Sequence, residues 1–168
     1  MKPIVSIIMG STSDLPVMEK ACQFFEEMGI PFEVNALSAH RTPQEVSDFA
    51  RGAAGRGIKV IIAGAGMAAA LPGVIAAETP LPVIGVPIKG SCLEGLDATL
   101  AILQMPPGIP VATVAIGGAQ NAAILAMQIL ALGDEGLMQK LVAYKSGLGN
   151  KIVKANAELA QLQYRYKC

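Results

Sequence analysis

Short apolar, β-branched runs alternate along the chain with segments whose apolar residues recur at helical spacing, the pattern of βαβ units on a parallel sheet. Residues 4–9, 32–37, 60–63, 82–86 and 111–115 read as five strands. Residues 15–28 place Val17, Met18, Ala21, Phe24, Phe25 and Met28 on one helical stripe that stops at Gly29. A second helix is expected from Pro43, a favoured first-turn residue, to about residue 54, ahead of Gly55 and Gly57. GAGMAAALPG bends from the third strand into an alanine-rich helix ending near Glu78, and residues 96–104 form a helix before MPPGIP.

Residues 121–132 read as a helix apolar on every side, which calls for burial all round and places it at the centre of an oligomer. Beyond it, a more polar helix over about 134–165 carries Leu137, Leu141, Tyr144, Leu148, Ile152, Leu159 and Leu162 in loose register, with Gly147 and Gly149 weakening its middle. This helix is expected to pack on a neighbouring subunit. Residues 1–168 read as one domain, without repeat, linker or low-complexity tract.

Composition sharpens that picture. Charged residues make up 15% of the chain and apolar ones 52%, against a usual charged share of ~25%, so the surface is hard to cover with charge and subunit burial is expected. Thirteen basic and thirteen acidic residues cancel without forming a cluster, which leaves no electrostatic footprint for nucleic acid or an anionic membrane. The charge-free stretches 60–77 and 98–133 are broken by Pro72, Gly73, Pro106, Pro107, Gly108 and Pro110, as suits core elements rather than membrane spans. Cys22, Cys92 and Cys168 are odd in number and lack a second histidine, which argues against a disulfide framework or zinc site and for a reducing cytoplasm. The N-terminal apolar run is too short for an export signal.

In an open parallel sheet the ligand crevice lies beyond the carboxyl ends of the strands, so the chemistry is sought in those loops. GSTSD offers Gly10 for close backbone approach, the hydroxyls of Ser11 and Ser13, and a helix N-terminus that favours an anion. Asp14 suits sugar hydroxyls, while helix capping by Ser13 or Asp14 is the simpler alternative. SAHRTP carries His40, the one histidine, beside Arg41 and two residues after Ser38. Arginine suits bidentate phosphate recognition, and a lone histidine restricts acid/base chemistry to a single group. The small residues of GAGMAAALPG allow backbone amides to line a pocket, whereas Lys89 and Asp97 read as either ligand contacts or, more simply, ordinary surface charges.

Taken in order, GSTSD, SAHRTP, the AGAG and ALPG pieces, VIGVP, LQMPPGIPVATVAI and NAAILAMQIL make residues 4–132 resemble the N5-carboxyaminoimidazole ribonucleotide mutase family of purine (IMP) biosynthesis. The resemblance implies a three-layer α/β/α sandwich on a five-stranded, flavodoxin-like parallel sheet, assembled as a homo-octamer with sites between subunits. It also implies an isomerase without metal or organic cofactor, whose small-molecule ribonucleotide loses and regains a carboxylate through captive carbon dioxide. By the same match His40 is the proton carrier, Ser11, Ser38 and Arg41 are phosphate ligands, Asp14 is the ribose ligand and Ser13 supports its loop. Gly64, Ala65 and Gly66 resemble the loop beside the imidazole, and Ala70 and Leu71 are further substrate-binding positions. Two departures stand out: Ala70 occupies the place of a second family histidine, which implies reduced turnover, and IGGAQNAA, with Gly118, is shorter than the usual lysine-bearing loop. A related carboxylase using free carbon dioxide and an impaired nucleotide-binding variant are the alternatives.

Overall fold

The computed structural model describes residues 1–167; Cys168 lies outside the described residues. Five strands, β1 (Val5–Met9), β2 (Phe32–Ala36), β3 (Val60–Gly66), β4 (Val83–Ile88) and β5 (Ala112–Thr113), pair in parallel in the order β2-β1-β3-β4-β5. Every residue of β1 and β4 is buried, which explains their nearly unbroken apolar sequence. β2 has no fully buried residue because it forms an edge.

Helices α1 (Leu15–Met28), α2 (Pro43–Arg56), α3 (Leu71–Glu78), α4 (Leu96–Leu103) and α5 (Ala119–Ala131) follow the strands in turn. Val46, Ala50 and Ala53 of α2, Leu71 and Ile75 of α3, and Ala98 and Ile102 of α4 share one buried cluster with Ile8, Ile61 and Ala63 of the sheet. On the opposite face Met18 of α1 packs where Gly64 lacks a side chain. The result is the expected three-layer α/β/α arrangement, with the order of strands reversing between β1 and β3.

Several boundaries differ from the sequence reading, each for a tertiary reason. β3 continues through Gly64, Ala65 and Gly66, and β4 through Ile88, because those residues pair with one another. α2 passes Gly55 and ends at Gly57, whose φ of 100° lets Gly57 and Ile58 donate back to Ala54 and Ala53. β5 is cut short, although Val114 and Gly117 still donate to Gly85 and Pro87. α5 buries Ala122, Ala123, Ala126 and Met127, while Ile124, Leu125, Ile129 and Leu130 stay half-buried and Asn121 is exposed. Within one chain it is therefore not covered all round. The exposed apolar side chains that flank it in sequence are Ile116 and Leu132, and a further exposed group, Leu93, Leu96, Leu100 and Leu103, lies in and just before α4.

The chain divides into two compact units, residues 1–130 and the segment from Ala131 onward. The second is dominated by α6 (Glu135–Ala160), which runs through Gly147 and Gly149 without a break. Asp134 caps it by accepting from the Leu137 amide at 3.0 Å. Lys167 Nζ donates to the carbonyls of Leu159, Ala160 and Leu162 at 2.6–3.0 Å, satisfying the last turn. Val142, Ile152, Val153 and Leu159 are exposed.

Candidate active site

The loops that follow β1, β2, β3 and β4 converge on a cavity of about 400 Å³ at the carboxyl edge of the sheet. This is the topological switch point, where the connections leaving the adjacent strands β1 and β3 run in opposite directions, to β2 and to β4. Its volume suits a small organic ligand.

The β1 loop is built by a reciprocal cap. The Ser11 amide donates to Asp14 Oδ2 at 3.2 Å, and Ser11 Oγ accepts from the Ser13 amide at 3.3 Å. Ser11, rather than Ser13 or Asp14, is thus the N-cap of the short 3-10 turn over Thr12–Asp14 that precedes α1. Gly10, Ser11, Ser13 and Asp14 all line the cavity. Burial raises the Asp14 carboxyl above its ordinary value of 3.8, partly offset by the Ser11 amide.

The β2 loop is closed from within by Ser38 and Thr42. The Ser38 amide donates to Thr42 Oγ1 at 3.0 Å, Thr42 Oγ1 and amide donate back to the Ser38 carbonyl at 3.2 and 2.8 Å, and the Arg41 amide donates to Ser38 Oγ at 3.3 Å. With its backbone tied at both ends, the loop presents His40 and Arg41 as exposed tips on the cavity wall. Thr42 escaped the sequence reading, although its spacing of four from Ser38 was the available sign.

The β3 wall is formed by Ala65, Gly66 and the turn that follows. An added Cβ on Gly66 would stand 3.0 Å from the Ile88 carbonyl oxygen, so a larger residue would press on the β3–β4 pairing at the cavity edge. Met67 and Ala69 then take positive φ values of 55° and 37° without being glycine. Such backbone is costly and is tolerated where the surroundings over-determine it. The turn delivers Ala70 and Leu71, at the start of α3, to the same wall. Gly64 does not reach it: its missing side chain leaves room for Met18 and Ile88 inside the fold.

Lys89 and Gly90, after β4, complete the cavity. Lys89 is exposed, as read from the sequence, yet it lines the site and is paired with Glu94. Asp97 is not a free surface charge: its Oδ1 is buried without a hydrogen-bond partner, and Oδ2 lies 4.0 Å from the Cβ position of Gly90.

Hydroxyls, amides, one carboxylate, one imidazole and two cations therefore face a single pocket, and they come from the loops that carry the sequence motifs. The family model described as AIR carboxylase matches residues 4–151. The chain belongs to the AIR carboxylase family. Across 161 residues it is 53% identical to the N5-carboxyaminoimidazole ribonucleotide mutase of Pyrococcus horikoshii, covering 96% of this chain and 91% of that protein. It is 59% identical over 140 residues to the phosphoribosylaminoimidazole carboxylase of Saccharomyces cerevisiae, covering 83% of this chain and 24% of the yeast protein. The crystal structure of Treponema denticola PurE superposes with a TM-score of 0.84 at 30% identity, covering 94% of this chain and 98% of that one. Among the described residues of this family member, no helix is long and apolar enough to cross a membrane.

Proposed function

We propose that this protein is an N5-carboxyaminoimidazole ribonucleotide mutase, which converts its substrate to 4-carboxy-5-aminoimidazole ribonucleotide in purine biosynthesis. The observation that carries this reading is the convergence of Ser11, Asp14, Ser38, His40 and Arg41 on one cavity. The family membership and the mutase relatives support it.

The phosphate is assigned to Ser11, Ser38 and Arg41, where hydroxyls and a guanidinium offer charge-assisted hydrogen bonds. Asp14 takes the ribose hydroxyls, with Ser13 and Gly10 shaping the loop, and the imidazole lies along Ala65, Gly66, Ala70 and Leu71. Gly64 serves this wall indirectly, through packing. Breaking the exocyclic N–C bond leaves its electron pair on nitrogen, which takes a proton from His40, and frees carbon dioxide inside the cavity. Ring carbon C4 then attacks that carbon dioxide, and His40 removes the C4 proton. One proton enters and one leaves, so the change is an isomerisation.

The working form is assigned as a homo-octamer in the cytoplasm, with α6 packing on a neighbouring subunit. The exposed leucines at 93, 96, 100 and 103 and the exposed apolar side chains of α6 support association. Half-buried Cys22 and exposed Cys92 are free thiols, as suits a reducing compartment.

The yeast relative favours a second reading, carboxylation of aminoimidazole ribonucleotide by free carbon dioxide. An assay of both nucleotides with and without bicarbonate separates the two. The mutase reading requires turnover of the N5-carboxylated nucleotide without added bicarbonate, and strict bicarbonate dependence defeats it.

A further inference from the structure

Lys89 is the cation of the cavity to which the mechanism above gives no task. It follows Ile88, the register partner of Gly66, so the β3–β4 ladder carries its backbone to the cavity edge. Gly90 holds the same segment against the strained turn, since a Cβ built there would lie 3.4 Å from Met67 Cγ.

Arg41 and Lys89 occupy loops after β2 and β4, two strands separated in the sheet by β1 and β3. Three inter-strand spacings of ~4.8 Å put those loops about 14 Å apart, on opposite sides of the crevice. A carboxylated ribonucleotide is anionic at both ends, with phosphate at one and carboxylate at the other. Its uncarboxylated counterpart is anionic only at the phosphate.

The partner of Lys89 is easily exchanged. The side chains of Lys89 and Glu94 are 62% and 69% exposed, and an ion pair so open to water holds its members weakly. The pair closes over a turn in which Glu94 and Gly95 both have positive φ, 53° and 91°. A carboxylate inside the cavity, where water is partly displaced, competes well for the same ammonium.

We propose that Lys89 is a specificity-determining residue that leaves Glu94 to hold the carboxylate of the bound nucleotide, distinguishing carboxylated from uncarboxylated aminoimidazole ribonucleotide. The proposal rests on the ribonucleotide reading of the site. Carbon dioxide, once released, is neutral and loses the contact, so Lys89 contributes affinity for substrate and product rather than rate.

Calorimetric titration of the full chain with 4-carboxy-5-aminoimidazole ribonucleotide and with aminoimidazole ribonucleotide tests this, using the parent, Lys89→Met, Lys89→Arg and Glu94→Gln. Lys89→Met is expected to weaken the carboxylated nucleotide by about 10-fold to 100-fold, the range of a charge-assisted contact, and to leave the uncarboxylated one unchanged. Lys89→Arg should restore part of the preference, and Glu94→Gln should strengthen it by freeing the ammonium. If the parent binds both nucleotides and Lys89→Met weakens both equally, or neither, the role of Lys89 is overturned alone. A parent that binds neither nucleotide overturns the ribonucleotide reading, and this proposal with it.

Discussion

Ser11 and Asp14 brace each other across the first loop, the Ser11 amide donating to Asp14 Oδ2 at 3.2 Å while both residues face the cavity. Capping and ligand binding are therefore not rival explanations of this motif. The hydrogen bond fixes one carboxylate oxygen on the backbone and leaves the other for a ligand.

That arrangement predicts a pH effect. Burial raises the folded pKa of Asp14 above its unfolded value near 3.8, so between the two values the native chain binds more protons and stability falls as pH rises. The cost is absent below the unfolded pKa and fully present above the folded one. Asp14→Asn keeps an acceptor for Ser11 but does not titrate, so it should gain on the parent as pH rises through this window. Denaturation of both proteins across acidic to neutral pH checks the sign; a difference independent of pH would show that the carboxyl is not destabilised by burial.

His40→Asn should lower mutase turnover by at least about 100-fold to 10,000-fold, the usual contribution of a general acid/base. Nucleotide affinity should change little, because the proposed reading assigns the phosphate and ribose to other side chains. The chain holds no second histidine to take over. Turnover within a few-fold of the parent, measured by direct conversion of the N5-carboxylated nucleotide, would remove His40 from the mechanism.

Gly64→Ala tests packing beneath the site. The new Cβ would lie 2.5 Å from Met18 Sδ and 3.0 Å from Ile88 Cδ1, closer than van der Waals contact allows. Overpacking of this kind costs about 1–3 kcal/mol. Met18→Ala in the same chain should recover part of the loss, since it removes the clashing sulfur. Thermal unfolding of the two single variants and the double variant checks this, and strictly additive losses would contradict it.

Ala70→His concerns the half-buried cavity wall at the start of α3. An imidazole there should raise turnover by up to about 100-fold through better positioning of the carboxylate. Ribonucleotide affinity should change less. Equal steady-state turnover of the two forms would establish that a methyl group at this place is sufficient.

The strands, their order of appearance and the helices between them were legible in the sequence because each is a local pattern. Unbroken β-branched runs mark buried strands, and the helix read over residues 15–28 from the stripe Val17 to Met28 coincides with α1. GSTSD and SAHRTP were legible as site loops for a related reason: glycine, hydroxyls, histidine and arginine gather where apolar runs end. The full set of phosphate and proton-transfer candidates in those loops lines one cavity.

What the tertiary structure decided depends on partners distant in sequence. Gly64 to Gly66 read as a turn because small residues usually make one, but pairing with Val86 to Ile88 draws them into β3 and turns Gly64 inward against Met18. The same pairing brings Lys89 to the cavity, deciding between the contact and the surface charge that its place after the fourth strand left open. Asp97 has its Oδ1 buried, and its Oδ2 lies 4.0 Å from the Cβ position of Gly90, seven residues earlier, surroundings that no local pattern specifies. Local periodicity determines which face of an element is apolar; which residues from separate loops share a pocket is set by strand order and register, and these exist only once the sheet has closed its long-range hydrogen bonds.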